Sequence, residues 1–300
     1  MNNTKYEIKG VIPAVISPMN EDGDLDIRAL ETQLEYLCGS GVHGFFIGGT
    51  TAEGGYLTST EKIESLELTR QISNGRQYLC AACIQPSTRG VLLEMDEVLK
   101  HDPDFIVAVT PYYYGSDTQG IIDHYTQIAN RSSVPVILYD IPQHTHNPIS
   151  IEAIQELSRH SNIVGLKDST GNFSRFCRML SASPIGDLAL IQGDDYLDAF
   201  SLIYGADAVV TGLSNIIAEP YVRMYNAAIS GDRDTVLKEQ RLIHDLAEII
   251  YVSGGNPIVA IKAALEHLGR CERWMRVRGS SPSDDTVSSV GRIIDKVMNA

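Results

Sequence analysis

No stretch of this chain approaches the roughly 18 consecutive apolar residues that a membrane-crossing helix requires, so a spanning helix is excluded at the outset. Basic residues are scarce too: 24 Lys and Arg stand against 38 Asp and Glu, a formal charge of −14. Nucleic-acid binding draws its affinity from clustered Lys and Arg, so this balance argues against such a partner, and an acidic surface mainly serves solubility. Cysteine is too sparse for a disulfide framework: five residues, an odd number, are spread over 300 positions, and reduced thiols are expected. The opening MNNTKYEIKG holds Lys5 and Lys9 but no apolar signal core, which points to the cytoplasm. Linkers, low-complexity tracts and long charge runs are missing as well, so nothing cuts the chain into independent domains.

What is present is an alternation of strand and helix. Eight short apolar runs, VIPAVIS, HGFFIG, YLCAACI, DFIVAVT, PVILYD, NIVGLK, LALIQ and DAVVT, begin roughly 20 to 35 residues apart. That spacing leaves room for a helix in each connection, as a parallel sheet requires. Helical signals fill the gaps. Thr58 and Glu61 stand in capping-box spacing before a segment that closes on Asn74-Gly75, and Ser150 precedes IEAIQEL as an N-cap. The one C-x-x-C, Cys80 to Cys83, lies inside a strand pattern. Residues three apart on a strand face opposite ways, so buried core thiols are expected there rather than a redox or zinc pair. Runs apolar on both faces favour a closed barrel over an open sheet. The expected fold is α/β, a (β/α)8 TIM barrel with additional C-terminal helices: a barrel core over 1–215, then the last barrel helix and a helical extension over 216–300.

Barrel chemistry belongs at the C-terminal ends of the strands, and that rule picks out candidates. Of the eight lysines, Lys62, Lys100, Lys238, Lys262 and Lys296 fall in helical segments, Lys5 and Lys9 precede the barrel, and Lys167 alone ends a core strand. Burial disfavours a charged amine, and a neutral amine attacks a ketone to form a Schiff base; the bland alternative is a lysine paired with Asp168. Tyr139 closes the preceding strand and is placed to move protons. Thr50 and Thr51, within GGTTAEGG, offer hydroxyls in a glycine frame that suits a carboxylate and lacks the spacing of a nucleotide loop. Tyr112, Tyr113 and Tyr114 offer a relay, a stacking surface or a subunit contact. His144 and His146 could hold a metal only with further ligands, for which Asp194 and Asp195 are the available acids.

These motifs in this order, with VIPAVISPMNEDGDLD at the front and LYDIP, GLKDSTGN, GDD and NPI further on, resemble the dihydrodipicolinate synthase and N-acetylneuraminate lyase family of class I pyruvate aldolases. The resemblance spans nearly the whole chain. It implies a homo-oligomer, usually a tetramer, that needs no metal or organic cofactor. It makes Lys167 the Schiff-base lysine and Tyr139 the proton-transferring tyrosine. Thr50 and Thr51 become the hydroxyl pair that meets the pyruvate carboxylate, Tyr113 a catalytic tyrosine lent by a neighbouring subunit, and Gly193 and Val210 part of the pyruvate pocket.

The departures bear on the second substrate. His144 stands where dihydrodipicolinate synthases carry the arginine that clamps the carboxylate of aspartate semialdehyde, His146 where they have glycine, Ala52 where the family has glycine, and Asp140 where it has asparagine. Imidazole does not match a guanidinium as a two-pronged carboxylate contact. The leading expectation is therefore a Schiff-base lyase or aldolase acting on a 2-keto-3-deoxy sugar acid, with His144 binding the distal end. The alternatives are 4-hydroxy-tetrahydrodipicolinate synthase itself and, outside enzymes, a sensor that binds 2-oxo acids without turning them over.

Overall fold

The computed structural model describes residues 7–181, 185 and 187–299; Lys5 lies outside them. The expected barrel is present. Eight parallel strands, β1 (Gly10–Pro13), β2 (Gly44–Ile47), β3 (Tyr78–Cys83), β4 (Phe105–Val109), β5 (Val136–Asp140), β6 (Ile163–Asp168), β7 (Ala189–Gln192) and β8 (Ala208–Thr211), pair in the order β1-β8-β7-β6-β5-β4-β3-β2. The ends of that order meet: Val15 N donates to Phe46 O at 3.0 Å and His43 N to Val11 O at 3.0 Å. The ring of strands thus closes on itself.

Every strand is buried on both faces because each sits between a filled interior and an outer layer of helices. Ile12, Phe46, Cys80, Val107, Ile137, Tyr139, Ile191 and Val210 fill the interior, while Val11, Phe45, Leu79, Cys83, Leu138, Leu166 and Val209 pack outward against helices. Cys80 and Cys83 fall on opposite faces, as strand geometry requires, and burial pushes both thiols well above their ordinary range.

The helices α1 (Ile27–Gly39), α2 (Ser59–Ser73), α3 (Thr88–Val98), α4 (Thr118–Arg131), α5 (Pro142–Thr145), α6 (Ile151–Leu157), α7 (Phe173–Ser181), α8 (Asp198–Tyr204) and α9 (Glu219–Ser230) occupy the connections and follow β8. Local chemistry sets their ends. Thr58 and Glu61 form the reciprocal capping box of α2, and Asn74 closes it at φ +48°; Ser150 caps α6 through Ala153 N at 3.1 Å. The helices α10 (Arg233–Val252), α11 (Pro257–His267) and α12 (Asp284–Met298) follow. They do more than flank the barrel, for the α10–α11 junction reaches over the C-terminal mouth of the strands. Among the described residues no helix is long and apolar enough to cross a membrane.

Candidate active site

Lys167 is the penultimate residue of β6 and only 4% exposed. Strand β6 runs one residue further than its apolar pattern suggested, because Asp168 also pairs, with Asp140 and Gln192. Two other lysines, Lys62 and Lys262, are as deeply buried, and each has a carboxylate: Lys62 pairs with Glu94, and Lys262 Nζ lies 2.6 Å from Glu53. Lys167 differs. Its Nζ makes no ion pair or hydrogen bond among the described residues and instead sits 3.9 Å from the ring centre of Tyr139 and 4.2 Å from that of Phe46. Asp168, the partner in the bland reading, is occupied with Arg175 and with Thr170, whose amide and hydroxyl donate at 2.8 and 2.6 Å. The Lys167 amine is thus buried at the strand end with no side chain among the described residues occupying it, in the position from which an amine can attack a ketone.

Tyr139 stands directly opposite Lys167 in the β5–β6 register. Its hydroxyl lies 3.3 Å from Thr50 Oγ1, so a phenol and an alcohol form a short chain beside the amine. The loop that carries Thr50 and Thr51 is held firmly, although its glycine-rich composition by itself would suggest a flexible frame. A Cβ on Gly54 would come within 1.8 Å of Gly48 O, so the loop's two ends touch and only glycine fits. Glu53 sits at φ +56° and anchors the same turn from the other side: Oε1 takes Lys262 of α11 and Oε2 accepts from Arg276 N at 3.0 Å. That anchor was missed in the sequence, since Lys262 reads there as an ordinary helical residue; its one signal was a lysine amid the apolar run PIVAIKAAL.

Thr50, Thr51, Tyr139, His144, Lys167, Gly193 and Val210 line one cavity of 540 Å³. Gly193 is there by necessity: a Cβ would stand 2.2 Å from Ser169 Oγ and 3.0 Å from Lys167 Cε. Asp194 and Asp195 also line it, but Asp195 is spent on structure, accepting from Tyr221 Oη at 2.5 Å and from the amides of Gly212 and Leu213 at 3.3 Å. Among the described residues no three His, Cys, Asp or Glu side chains gather as a metal site. Ser169, Asn256 and Ile258 line the cavity too; they fall in the GLKDSTGN and NPI motifs, but the sequence reading gave them no role in the site.

His144, in α5, lines this cavity and a second one of 480 Å³ beside it, which Ile84, Tyr112, Met275 and Val277 help to wall. Burial, and after it His146, holds the His144 imidazole below its ordinary value, so it is neutral at pH 7. His146, exposed and at φ +58°, lines neither cavity, and Tyr113 is not brought to Lys167 within the chain. Tyr113 is 83% exposed, at φ +78°, with its ring 4.9 Å from that of Tyr114.

Comparison with known proteins gives the family. The family model described as the Dihydrodipicolinate synthetase family matches residues 7–295. The chain belongs to that family. It is an enzyme of the lysine Schiff-base, class I aldolase type that the family comprises. Similar curated relatives include the 4-hydroxy-tetrahydrodipicolinate synthase of Methanospirillum hungatei, 29% identical over 96% of this chain and 99% of the relative. That of Shewanella denitrificans is 33% identical over 87% of this chain and 88% of the relative. Among solved structures, the chloride-inhibited dihydrodipicolinate synthase of Acinetobacter baumannii complexed with pyruvate aligns with a TM-score of 0.91 at 26% identity, covering 97% of this chain and 99% of that one.

Proposed function

We propose that this member of the dihydrodipicolinate synthetase family forms an imine between Lys167 and the C2 ketone of pyruvate and joins the resulting enamine to an aldehyde, or runs the same steps in reverse. The observation that carries the proposal is the buried, unpaired amine of Lys167 beside the linked hydroxyls of Tyr139 and Thr50. Attack on C2 expels the carbonyl oxygen as water, and the Tyr139 phenol supplies and removes the protons this needs. Loss of a C3 proton from the cationic imine gives the enamine, whose C3 bonds to the aldehyde carbon as the aldehyde oxygen takes a proton, and release of the product from the imine returns the free Lys167 amine. Thr50 and Thr51 take the pyruvate carboxylate, which leaves the reacting carbons one orientation. Gly193 and Val210 leave the room for it. Tyr113 joins the relay from a second copy of the chain, a role supported by its exposure and left-handed backbone.

For the aldehyde, the names of the relatives support aspartate semialdehyde, and so 4-hydroxy-tetrahydrodipicolinate synthase activity, more strongly than a sugar-acid aldolase. One observation favours the second reading: among the described residues lining the two cavities Lys167 is the sole lysine, no arginine is present, and neutral His144 stands where a carboxylate clamp would be. A hydroxylated aldehyde, released from a 2-keto-3-deoxy sugar acid, needs no such clamp.

Borohydride added with pyruvate is expected to fix a stable mass on Lys167 and abolish turnover; an adduct on another residue, or none, refutes the proposal. Assays of pyruvate consumption with aspartate semialdehyde, set against pyruvate release from 2-keto-3-deoxy sugar acids, then decide between the two aldehydes.

A further inference from the structure

Tyr139 and Lys167 point into the barrel, so the residues after them, Asp140 and Asp168, point outward, where the β5–β6 register sets them side by side. From α7, Arg175 reaches between them. Its Nη2 donates to Asp140 Oδ2 at 2.7 Å and to Ile149 O at 2.8 Å, and its Nη1 pairs with Asp168 Oδ2. The main chain carries the clamp on toward the pocket: Ser169 N donates to Asp140 O at 2.9 Å, and Gly193 N to Asp168 O at 2.9 Å.

The charges inside this clamp do not balance. Two carboxylates, 0% and 2% exposed, share one guanidinium. Asp168 has a full set of donors, whereas Oδ1 of Asp140 is buried with no hydrogen-bond partner. An unpaired buried anion is costly, and neutralising it by a proton is the inexpensive alternative. The charged and titratable groups facing Asp140 are Arg175 from α7, Asp168 from β6 and Tyr125 from α4, whose phenol is itself pushed up by burial and by Asp140. Burial lifts the Asp140 carboxyl to about 7; Arg175 opposes the rise and Asp168 adds to it.

We propose that Asp140 and Arg175 are positioning residues of the imine site: their clamp with Asp168 sets how the Tyr139 phenol faces the Lys167 amine, and a proton on Oδ1 of Asp140 switches the clamp between neutral and negative. The inference rests on the Schiff-base reading above. It gives a purpose to aspartate at a position where the resembling family carries asparagine, which cannot titrate.

The test compares wild type with Asp140→Asn, which keeps an acceptor toward Arg175 and loses the exchangeable proton. The readout is the rate of borohydride-trapped pyruvate adduct formation across the neutral range. In the wild type, ionised Asp140 puts negative charge behind the pocket that receives the pyruvate carboxylate. The ratio of variant to wild-type rate is therefore expected to be level on the acid side and to climb several-fold as pH passes about 7. A second variant, Arg175→Met, is expected to lower kcat at least tenfold while changing the pyruvate KM less. A level ratio for Asp140→Asn overturns the inference on its own, whether or not Arg175→Met folds. Absence of any adduct in the wild type overturns the Schiff-base reading and this inference together, whereas an adduct with a level ratio overturns this inference alone.

Discussion

Replacing Gly193 by alanine adds one methyl group where the backbone passes close to Lys167. The added Cβ meets Ser169 Oγ at 2.2 Å, Lys167 Cε at 3.0 Å and Asp168 O at 3.2 Å. Ser169 can rotate away only by giving up its bond to Gly193 O, now 3.1 Å, a loss of about 1 kcal/mol. The contacts with Lys167 Cε and the β6 backbone remain, and the amine has little room to retreat between the rings of Phe46 and Tyr139. Overpacking of this kind costs roughly 1–3 kcal/mol of stability, less than the roughly 5–15 kcal/mol by which folded proteins are generally stable. A displaced amine is more serious, since a shift near 1 Å in a reacting group costs on the order of 100-fold in rate. Only part of that shift is forced here, so a fall of about 10- to 100-fold in the rate of imine formation is expected. The assay is borohydride trapping of the pyruvate adduct under single-turnover conditions, with far-UV circular dichroism to establish that the variant is folded. A folded Gly193→Ala protein that traps pyruvate at the wild-type rate would refute the claim that this contact holds Lys167 in place.

Two further outcomes follow from buried charges. Lys262→Met leaves the Glu53 carboxylate buried without its cation and is expected to cost about 3–5 kcal/mol and to raise the pyruvate KM by loosening the Thr50–Thr51 loop; adding Glu53→Gln should recover part of both, and strict additivity of the pair would count against the anchor. His124 is buried between Thr88 Oγ1 at 2.9 Å and Val109 O at 3.0 Å, and burial lowers its imidazole to about 4. The unfolded chain therefore holds more protons between the ordinary value near 6.5 and about 4, so this contribution is intact above 6.5 and is lost as pH falls toward 4, on the order of 3 kcal/mol in all. Denaturant midpoints across that window, compared with His124→Gln, check it, and equal acid losses in both proteins would refute it.

The barrel was legible because its strands are buried on both faces, which writes a strand such as β4 as the unbroken apolar run FIVAV that a half-exposed strand would not show. Lys167 and Tyr139 were legible for the same reason, as polar side chains closing such runs. What the sequence concealed is long-range. Lys262 and Glu53 are 209 residues apart and meet only because α11 folds back over the mouth, and Arg175 lies 35 residues from Asp140. Beyond the apolar run around Lys262, little local distinguishes a helical lysine or arginine that turns inward from one that faces water, because both side chains are long enough to do either. The stiffness of GGTTAEGG was concealed likewise. Its glycines suggest freedom, yet at Gly54 glycine is there to let two backbone segments touch.

The three buried lysines together sharpen what marks the one proposed to react. Depth of burial does not, for Lys62 and Lys262 are buried as fully as Lys167. Each of the other two is held in an ion pair with a carboxylate, Lys62 tying α2 to Glu94 of α3 and Lys262 tying α11 to the loop of Glu53. At Lys167 the nearest acid, Asp168, is turned to the opposite side of the strand and taken up by Arg175. The same alternation that sends Lys167 inward therefore removes its neighbouring acid as a counter-ion. An Arg175 variant that frees Asp168 does not give Lys167 a partner, because the strand's two faces still separate them, so lost activity there would report geometry rather than a quenched amine.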